Sequence, residues 1–465
     1  MAISKEIIAK LEEIVGKEDC LTADYQLAAY SQGMIYTDPT RPDVLLLPET
    51  TEEVSEIMKI ANENIISVVI RAGATAGPIS QPDGGIVLDM GKMNRILNWD
   101  LDNEIVTVEA GVLYYELCQE AIKRGYMMPL KPWYGNGVTV GGYINGPSMV
   151  GTRVAEYGTL NYWLFGITVV FPDGSIHHFG SGAYEGCKDF MSNAWMSMNW
   201  PITMMCQSLG SLGVVTEASL LTVPQPEATH HAVCGFAHIE DLCKAAKEIQ
   251  LKGLATDIEH EDHDIYDLLG MPLPKYYEMV LAITNEGIQE EVEAKGRRAM
   301  EIMKKYGGEE LDPKYGHLTY DNTANFNFCT ASFGQFCCAA GCASYESYPE
   351  IYHIIKEEWA EAGIRNGWSC WTCYPNWVQG WTIGGYDYDT QMNAYNRAMF
   401  RIQKRTYDIA DSYPFYFTEQ FEEFSQKVKD WIDPNGIMNP ASWFMLSGSQ
   451  SRMVESLPIE TADMA

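Results

Sequence analysis

Along the first half of the chain, short apolar runs alternate with longer stretches whose apolar residues recur every three or four positions. "PDVLLLP", "ISVVIRAG" and "EIVTVEAG" have the β-branched character of buried strands. Between the first two lies "TTEEVSEIMKIANEN", where Val54, Ile57, Met58 and Ala61 fall on one helical face. Thr51 is placed to cap this helix, and Glu52 and Glu53 suit its first turn, where the helix dipole favours negative charge. "LYYELCQEAIKRG" predicts a helix stopping near Gly125. "YWLFGITVVFPDGSIHHFG" predicts two strands around Pro172-Asp173-Gly174, and "SLGVVTEASLLTVPQPE" a strand pair with a proline-bearing exit.

The pattern changes at Pro224–Glu227, the first expected boundary. After it, a helix ("IEDLCKAAKEIQLKG"), a strand ("YYEMVLAITN") and a helix ("IQEEVEAKGRRAMEIMKKYGG") predict a separate α+β lobe. A tract rich in Cys and aromatic residues runs from Phe326 to Trp381. The last helix, "TEQFEEFSQKVKDWI", leads into "DPNGIMNP", a turn with Asn435-Gly436 at its tip.

At 465 residues the chain has room for two or three domains, or for one large α/β enzyme with an inserted lobe. Its net charge of −31 argues against nucleic acid and anionic lipid as partners, since both bind through Lys and Arg. The N-terminal stretch "MAISKEIIAKLEEIVGKEDC" is charged throughout and has no apolar signal-peptide core, and no run is apolar enough to span a bilayer. The cysteines are irregularly spaced and Cys337-Cys338 are adjacent, so free thiols in a reducing cytoplasm are expected.

Three stretches carry candidate chemistry. In "VVIRAGATAG", Val68 to Gly77, small residues follow a strand, so backbone can approach a ligand closely. It is neither a Walker A loop nor a Rossmann fingerprint, and alone it reads equally as a surface turn or a phosphate cradle. Asn136 to Gly166 is dense in glycine and nearly free of charge, unlike a linker or a helix, and suits backbone wrapped around a flat cofactor. "QSLGSLGVVTEASL", Gln207 to Leu220, repeats small residues before a β-branched run and contains Glu217. "GGIVLDMGKMNRIL" leaves a strand through an unusually polar turn containing Asp89, Asn94 and Arg95.

Together, in this order, these stretches resemble the flavoenzymes of the vanillyl-alcohol oxidase/p-cresol methylhydroxylase superfamily, which also contains glycolate and D-lactate dehydrogenase flavoproteins. "IRAGATAG" is similar to the pyrophosphate loop and "GGIVLDMGKMNRIL" to the segment after it. "TVGGYI" and "EYGTLNYWLFGITVVFPDG" are similar to the second FAD contact region, "QSLGSLGVVTEASL" to the stretch beside adenine and flavin, and "WIDPNGIMNP" to the C-terminal return. The resemblance implies an α+β fold: a two-subdomain FAD-binding domain of the p-cresol methylhydroxylase type over residues 1–225, an α/β cap over 226–425, and a return to the FAD domain over 426–465. It implies that Arg71, Ala72, Gly73, Ala74, Thr75 and Ala76 face the pyrophosphate. Gly137, Val140, Gly141, Gly142, Tyr157, Gly158, Val214 and Val215 would line FAD, and Asn439 would approach from the tail. Asp89, Asn94 and Arg95 would be structural.

The chain also departs from its relatives. The hydroxy-acid members carry a G-H-x-G-D-G-N-x-H cap motif; here "YGHLTYDNTANFNF" keeps only His317. The phenol-oxidising members place Tyr, Asp and a Tyr-Arg pair where this chain has Ala76, Thr159 and Tyr416-Phe417. "NWVQGW" lacks the histidine that carries covalent FAD, so noncovalent FAD is expected. Trp371, Trp377, Trp381 and Phe417 are expected to wall an aromatic or bulky substrate. Tyr416, Tyr386 and Tyr388 are candidate proton handlers. "IEHEDHD", Ile258 to Asp264, reads as a solvated charged turn more than a metal site built on His260 and His263. The Cys370-x-x-Cys373 pair reads as buried thiols more than a cluster site, so no metal is expected. The expected activity is an FAD-dependent dehydrogenase that takes hydride from an alcohol or benzylic carbon. Electrons would pass to an electron-transfer flavoprotein, an iron–sulfur protein or a cytochrome, and the chain would form a homodimer or higher homo-oligomer. A 2-hydroxy-acid dehydrogenase and a non-catalytic electron-relay subunit are the alternatives.

Overall fold

In the computed structural model, the described residues are 3–31, 40–75, 84–132, 135–146, 151–180, 183, 200–268, 270–316, 340–364, 367–373, 377–383, 390, 393–394, 397–398, 401 and 419–440. The first layer is a four-stranded sheet of β1 (Cys20–Leu21), β2 (Val44–Leu46), β3 (Val68–Arg71) and β4 (Ile86–Asp89), ordered β1-β2-β4-β3. The last three run parallel, and a helix crosses from β2 to β3. Helices α1 (Lys5–Val15) and α3 (Thr51–Glu63) cover one face through Leu11, Ile57 and Met58, and α2 (Asp24–Ala28) covers the other through Leu27. The cap of α3 is Thr50, not Thr51: Thr50 has extended backbone and its hydroxyl accepts the Glu53 N–H at 3.1 Å. Thr51 is already helical, and its hydroxyl donates to Thr216 Oγ1.

The second layer is an antiparallel sheet of β5 (Ile96–Asp100) and β6 (Ile105–Glu109) with three later strands. Helix α4 (Tyr114–Ile122), short strands β7 (Tyr126–Met127) and β8 (Lys131–Pro132), helix α5 (Val140–Asn145), β9 (Gly151–Thr152) and α6 (Val154–Tyr157) intervene. Strands β10 (Leu164–Val170), β11 (Ile176–Phe179) and β12 (Val214–Leu221) then give the order β11-β10-β12-β6-β5. Helix α7 (Trp200–Met205) precedes β12. Where the sequence reads as a strand pair there is one long strand, followed by the two-residue β13 (Val223–Pro224), because Pro224 cannot donate to a ladder.

A seven-stranded antiparallel sheet begins with β14 (Ala228–Phe236). The sequence pattern misses this strand because His230 and His231 mask its alternation. Helix α8 (Ile239–Leu251), β15 (Asp257–Asp262), α9 (His263–Leu268), β16 (Met279–Gly287), α10 (Gln289–Lys305), β17 (Glu309–Glu310), β18 (Ala340–Ser344), α11 (Tyr348–Glu361), β19 (Gly367–Cys373) and β20 (Trp377–Ile383) complete it. The order is β17-β14-β16-β15-β19-β20-β18. Its outer face packs Phe236, Ile258, Leu281, Ile283 and Trp368 with residues of α8, α10 and α11. On its inner face Val233, Val280 and Ala282 share a core with Val106, Val112 and Ile167 of the preceding half. The solvated turn expected at Ile258–Asp264 is instead the central strand β15, with all six residues buried. Helix α12 (Glu419–Ile432) then carries the chain back to β3, where Met438 bridges Val68 in parallel.

Candidate functional site

Strand β3 ends at Arg71, and the loop beyond it is where a parallel sheet presents its carboxyl end to ligands. Among the described residues, the backbone N–H groups of Ala72, Gly73, Ala74 and Thr75 find no protein acceptor. Ala74 takes a left-handed φ of 51°, which helps successive amides curl into an anion-binding concavity. The polar turn after β4 braces this loop from behind. Asp89, the parallel partner of Arg71, accepts from Tyr30 Oη at 2.5 Å and from Gly91 N at 2.8 Å. The Arg71 guanidinium lies 4.8 Å over the Tyr30 ring. Burial and the Asp89 carboxylate push the Tyr30 phenol up to about 12. Arg95 fastens the end of the turn to the buried Glu109 through Nε, Nη2 and its backbone N–H. Ala76 lies outside the described residues.

Small residues let the next element close on the loop. A methyl group on Gly73 would overlap the Gly137 carbonyl oxygen. One on Gly142 would stand 2.9 Å from Ala72 Cβ, and one on Gly141 would stand 2.8 Å from Ala110 Cβ. Thr139 caps α5 by accepting from Gly142 N, and Val140 is buried at its start. The Gln207–Ser211 loop comes alongside: Gln207 N and Leu209 N donate to Ile144 O and Asn145 O, and Ser208 Oγ donates to Asn145 Oδ1. Among the described residues, seven non-glycine residues have left-handed φ, and Ala74, Gln207, Leu209 and Asn439 are four of them. Backbone strain therefore gathers where these segments meet, as it does at ligand clamps.

The tail locks the arrangement. Val68 N donates to Ile437 O at 2.7 Å, Asn439 N donates to Val68 O at 2.8 Å, and Asn439 Nδ2 donates to Leu209 O at 2.5 Å. Buried Lys429 spends its three N–H donors on Ser211 O, Asp433 Oδ2 and Met438 O, at 2.6, 2.7 and 2.9 Å. Asp433 also accepts from Ile437 N and Met438 N. Burial lowers the Lys429 ammonium against the pull of Asp433 in the other direction. Val214 and Val215 are buried in two different cores, one on each side of β12. Tyr157 packs edge-on against Trp163 at 5.3 Å, burial raises its phenol to about 12, and Gly158 takes a φ of 71°.

Arg153 joins the two halves. Its backbone N–H donates to Asp257 Oδ1 at 2.7 Å, and its guanidinium pairs with buried Glu286 at 2.7 Å. Asp257 begins an acidic row that sequence reasoning missed. Alternate residues of β15 face opposite sides. Asp257, Glu259 and Glu261 lie opposite Thr284, Ala282 and Val280, on the inner face. Burial raises the Asp257 carboxyl to about 7 against the pull of the Arg153 N–H, and it holds Glu261 well above the usual carboxylate range. On the outer face, burial lowers His260 to about 3, and its ring lies buried near Thr372. Asp262 and Asp264 pair with Lys356.

The register places Trp371 opposite Glu259, Ser369 opposite Glu261 and Trp381 opposite Ser369, with Trp377 at the start of β20. Tyr386, Tyr388, Tyr416, Phe417 and His317 lie outside the described residues. Among the described residues, the one group of three metal-capable side chains is His238, Glu240 and Glu278, away from this row at the surface. No helix among the described residues is long and apolar enough to cross a membrane.

The open amides of 72–75 and the buried Ser211 hydroxyl, which has no partner among the described residues, suit a diphosphate-bearing group. Residues 42–180 match the family described as FAD binding domain. A D-lactate dehydrogenase of Anaerostipes hadrus is 30% identical over 256 residues, 54% of this chain and 51% of that protein. The glycolate oxidase subunit GlcD of Bacillus subtilis is 28% identical over 311 residues, 65% of this chain and 64% of that protein. The chain thus spans about half the length of the first and under two thirds of the second. The structure of p-cresol methylhydroxylase with substrate bound superposes with a TM-score of 0.77 over 95% of this chain and 96% of that one, at 16% identity, which shows a shared fold. Residues 42–180 thus match a family of FAD binding domains, with FAD as the cofactor, in a chain that shares the fold of p-cresol methylhydroxylase.

Proposed function

We propose that the protein is an FAD-dependent dehydrogenase that oxidises an alcohol or benzylic carbon of an aromatic or bulky organic substrate. The observation that carries this reading is the seven-stranded sheet laid with one face on the FAD-binding half, which supports reading residues 226–425 as a cap over the cofactor. In this reading 1–225 and 426–465 form the FAD domain. The amides of Ala72 to Thr75 and the Ser211 hydroxyl hold the pyrophosphate, with Arg71, Ala76, Gly137, Val140, Gly141, Gly142, Tyr157, Gly158, Val214, Val215 and Asn439 around the cofactor. When bound, FAD supplies two-electron redox chemistry, and the protein supplies orientation, exclusion of water and proton handling. Trp371, Trp377, Trp381 and Phe417 shape the substrate region, and Tyr416, Tyr386 and Tyr388 serve as proton handlers there. FAD is held noncovalently, a partner protein takes the electrons, and the protein works as a homo-oligomer.

The printed names of the relatives favour a second reading, a 2-hydroxy-acid dehydrogenase. The loss of the paired-histidine cap motif weighs against it. Anaerobic bleaching of the flavin absorbance separates the two. The panel sets D-lactate and glycolate against phenolic, benzylic and polycyclic alcohols. Bleaching by the second set alone is the expected result; bleaching by the small acids alone overturns the first reading.

A further inference from the structure

We propose that Glu261, with Ser369 opposite it, is the proton-accepting contact for the substrate hydroxyl on the inner face of the cap. This inference rests on the oxidation reading above and assigns the substrate hydroxyl proton to Glu261 in place of the three tyrosines. Glu261 is fully buried, and neither of its carboxylate oxygens has a hydrogen-bond partner among the described residues. The Ser369 hydroxyl, its cross-strand partner, is equally buried and equally unpartnered. Native interiors pair such groups almost without exception, so two unmet polar side chains facing each other mark a place where a ligand's polar atom completes the set. Their strands are the middle of the sheet that covers the FAD-binding half, and Val280 on the other side of Glu261 belongs to the core shared with that half. A metal is the wrong occupant, because the row does not bring three ligand atoms together, whereas a single hydroxyl needs one acceptor and one donor.

The titratable groups around Glu261 are Asp257 and Asp262 on its own strand, Cys370 on β19 and Tyr266 on α9, with Glu259 next in the row. Burial first, then Asp257 and Asp262, favour the neutral acid. In the step, the substrate C–H bond breaks and its hydrogen leaves with the electron pair as hydride; FAD held by the 72–75 amides and Ser211 would be the two-electron acceptor. The O–H bond breaks, its proton forms the new O–H bond of Glu261, and the substrate C–O bond becomes C=O. Only ionised Glu261 accepts that proton, so flavin reduction quickens as pH rises.

The test uses the FAD-loaded protein, vanillyl alcohol and cinnamyl alcohol as probes, and Glu261→Gln and Ser369→Ala. In Glu261→Gln the rate of anaerobic flavin reduction falls about 100-fold or more, in the range for loss of a general base, and its pH dependence disappears. Ser369→Ala, which removes only a hydroxyl, slows reduction about tenfold and keeps the pH dependence. Infrared difference spectra of wild type minus Glu261→Gln, recorded without substrate at neutral pH, show a protonated carboxyl band. Wild type bleached by the probes, with Glu261→Gln unchanged in rate and profile, overturns the assignment and leaves the oxidation reading standing. Wild type bleached by no alcohol of any class refutes that reading and the assignment with it.

Discussion

Lys429→Met removes the charge at the centre of the tail latch and keeps most of the hydrocarbon stem. The ammonium serves Ser211 O, Asp433 Oδ2 and Met438 O, and nothing in a thioether replaces those bonds. Asp433 keeps the Ile437 and Met438 amides but becomes a buried carboxylate without its countercharge. Breaking one side of a buried ion pair costs about 3–5 kcal/mol, and the two abandoned carbonyls fall within the upper part of that range. The loss acts on the segment that holds Asn439 against Leu209 and Val68. If a third of about 4 kcal/mol reaches the cofactor loops, FAD dissociation constants rise about tenfold. Urea unfolding of the FAD-loaded protein and retention of FAD through gel filtration measure the two effects separately. Lys429→Met/Asp433→Asn recovers most of the stability, because removing both charges leaves none unpaired. A single variant that unfolds within about 0.5 kcal/mol of wild type and retains FAD equally refutes the latch.

Gly73→Ala places a methyl group on the Gly137 carbonyl, so the variant purifies with substoichiometric FAD and loses about 1–3 kcal/mol; FAD content by absorbance checks it. Arg153→Met removes the guanidinium that pairs with the Glu286 carboxylate and costs about 3–5 kcal/mol by urea denaturation. Asp257 has a raised carboxyl, so its protonated form stabilises the fold below its ordinary value of 3.8. That contribution is lost as pH rises towards about 7. Asp257→Asn therefore flattens part of the decline in stability across this window, and thermal melts at several pH values show it. Glu261 and Asp262, shifted in the same direction, retain the rest of the slope.

The close backbone approach at 72–75 and 137–142 was legible because its chemistry is local. Gly73, Gly141 and Gly142 announce close backbone approach, and a β-branched strand before each loop fixes where it begins. Strand β15 was not legible. Five of its six residues are ionisable, and a central strand is normally read from apolar alternation. Only the pairings on both sides, with β16 and β19, show that it is interior. Nor does the sequence single out Lys429 and Asp433: an i,i+4 Lys–Asp pair beside a charged helix has the signature of a surface ion pair, yet both side chains are buried. The position of the N-cap differed by one residue because Thr50 and Thr51 offer the same hydroxyl, and the backbone angles alone decide between them.

The return of the tail to β3 has a consequence for how the molecule is made. Val68 and its partner Met438 lie some 370 positions apart, and the edge of the first sheet stays open until the far segment arrives. On a ribosome adding about 5–20 residues per second, that edge waits roughly 20–70 seconds for its partner. During this interval the exposed strand is a template for other chains, and the cofactor loops lack Asn439 and Lys429. A polypeptide stalled before residue 429 therefore emerges with most of its sheets encoded, the Val68 edge unpaired and Ser211 without its Lys429 contact.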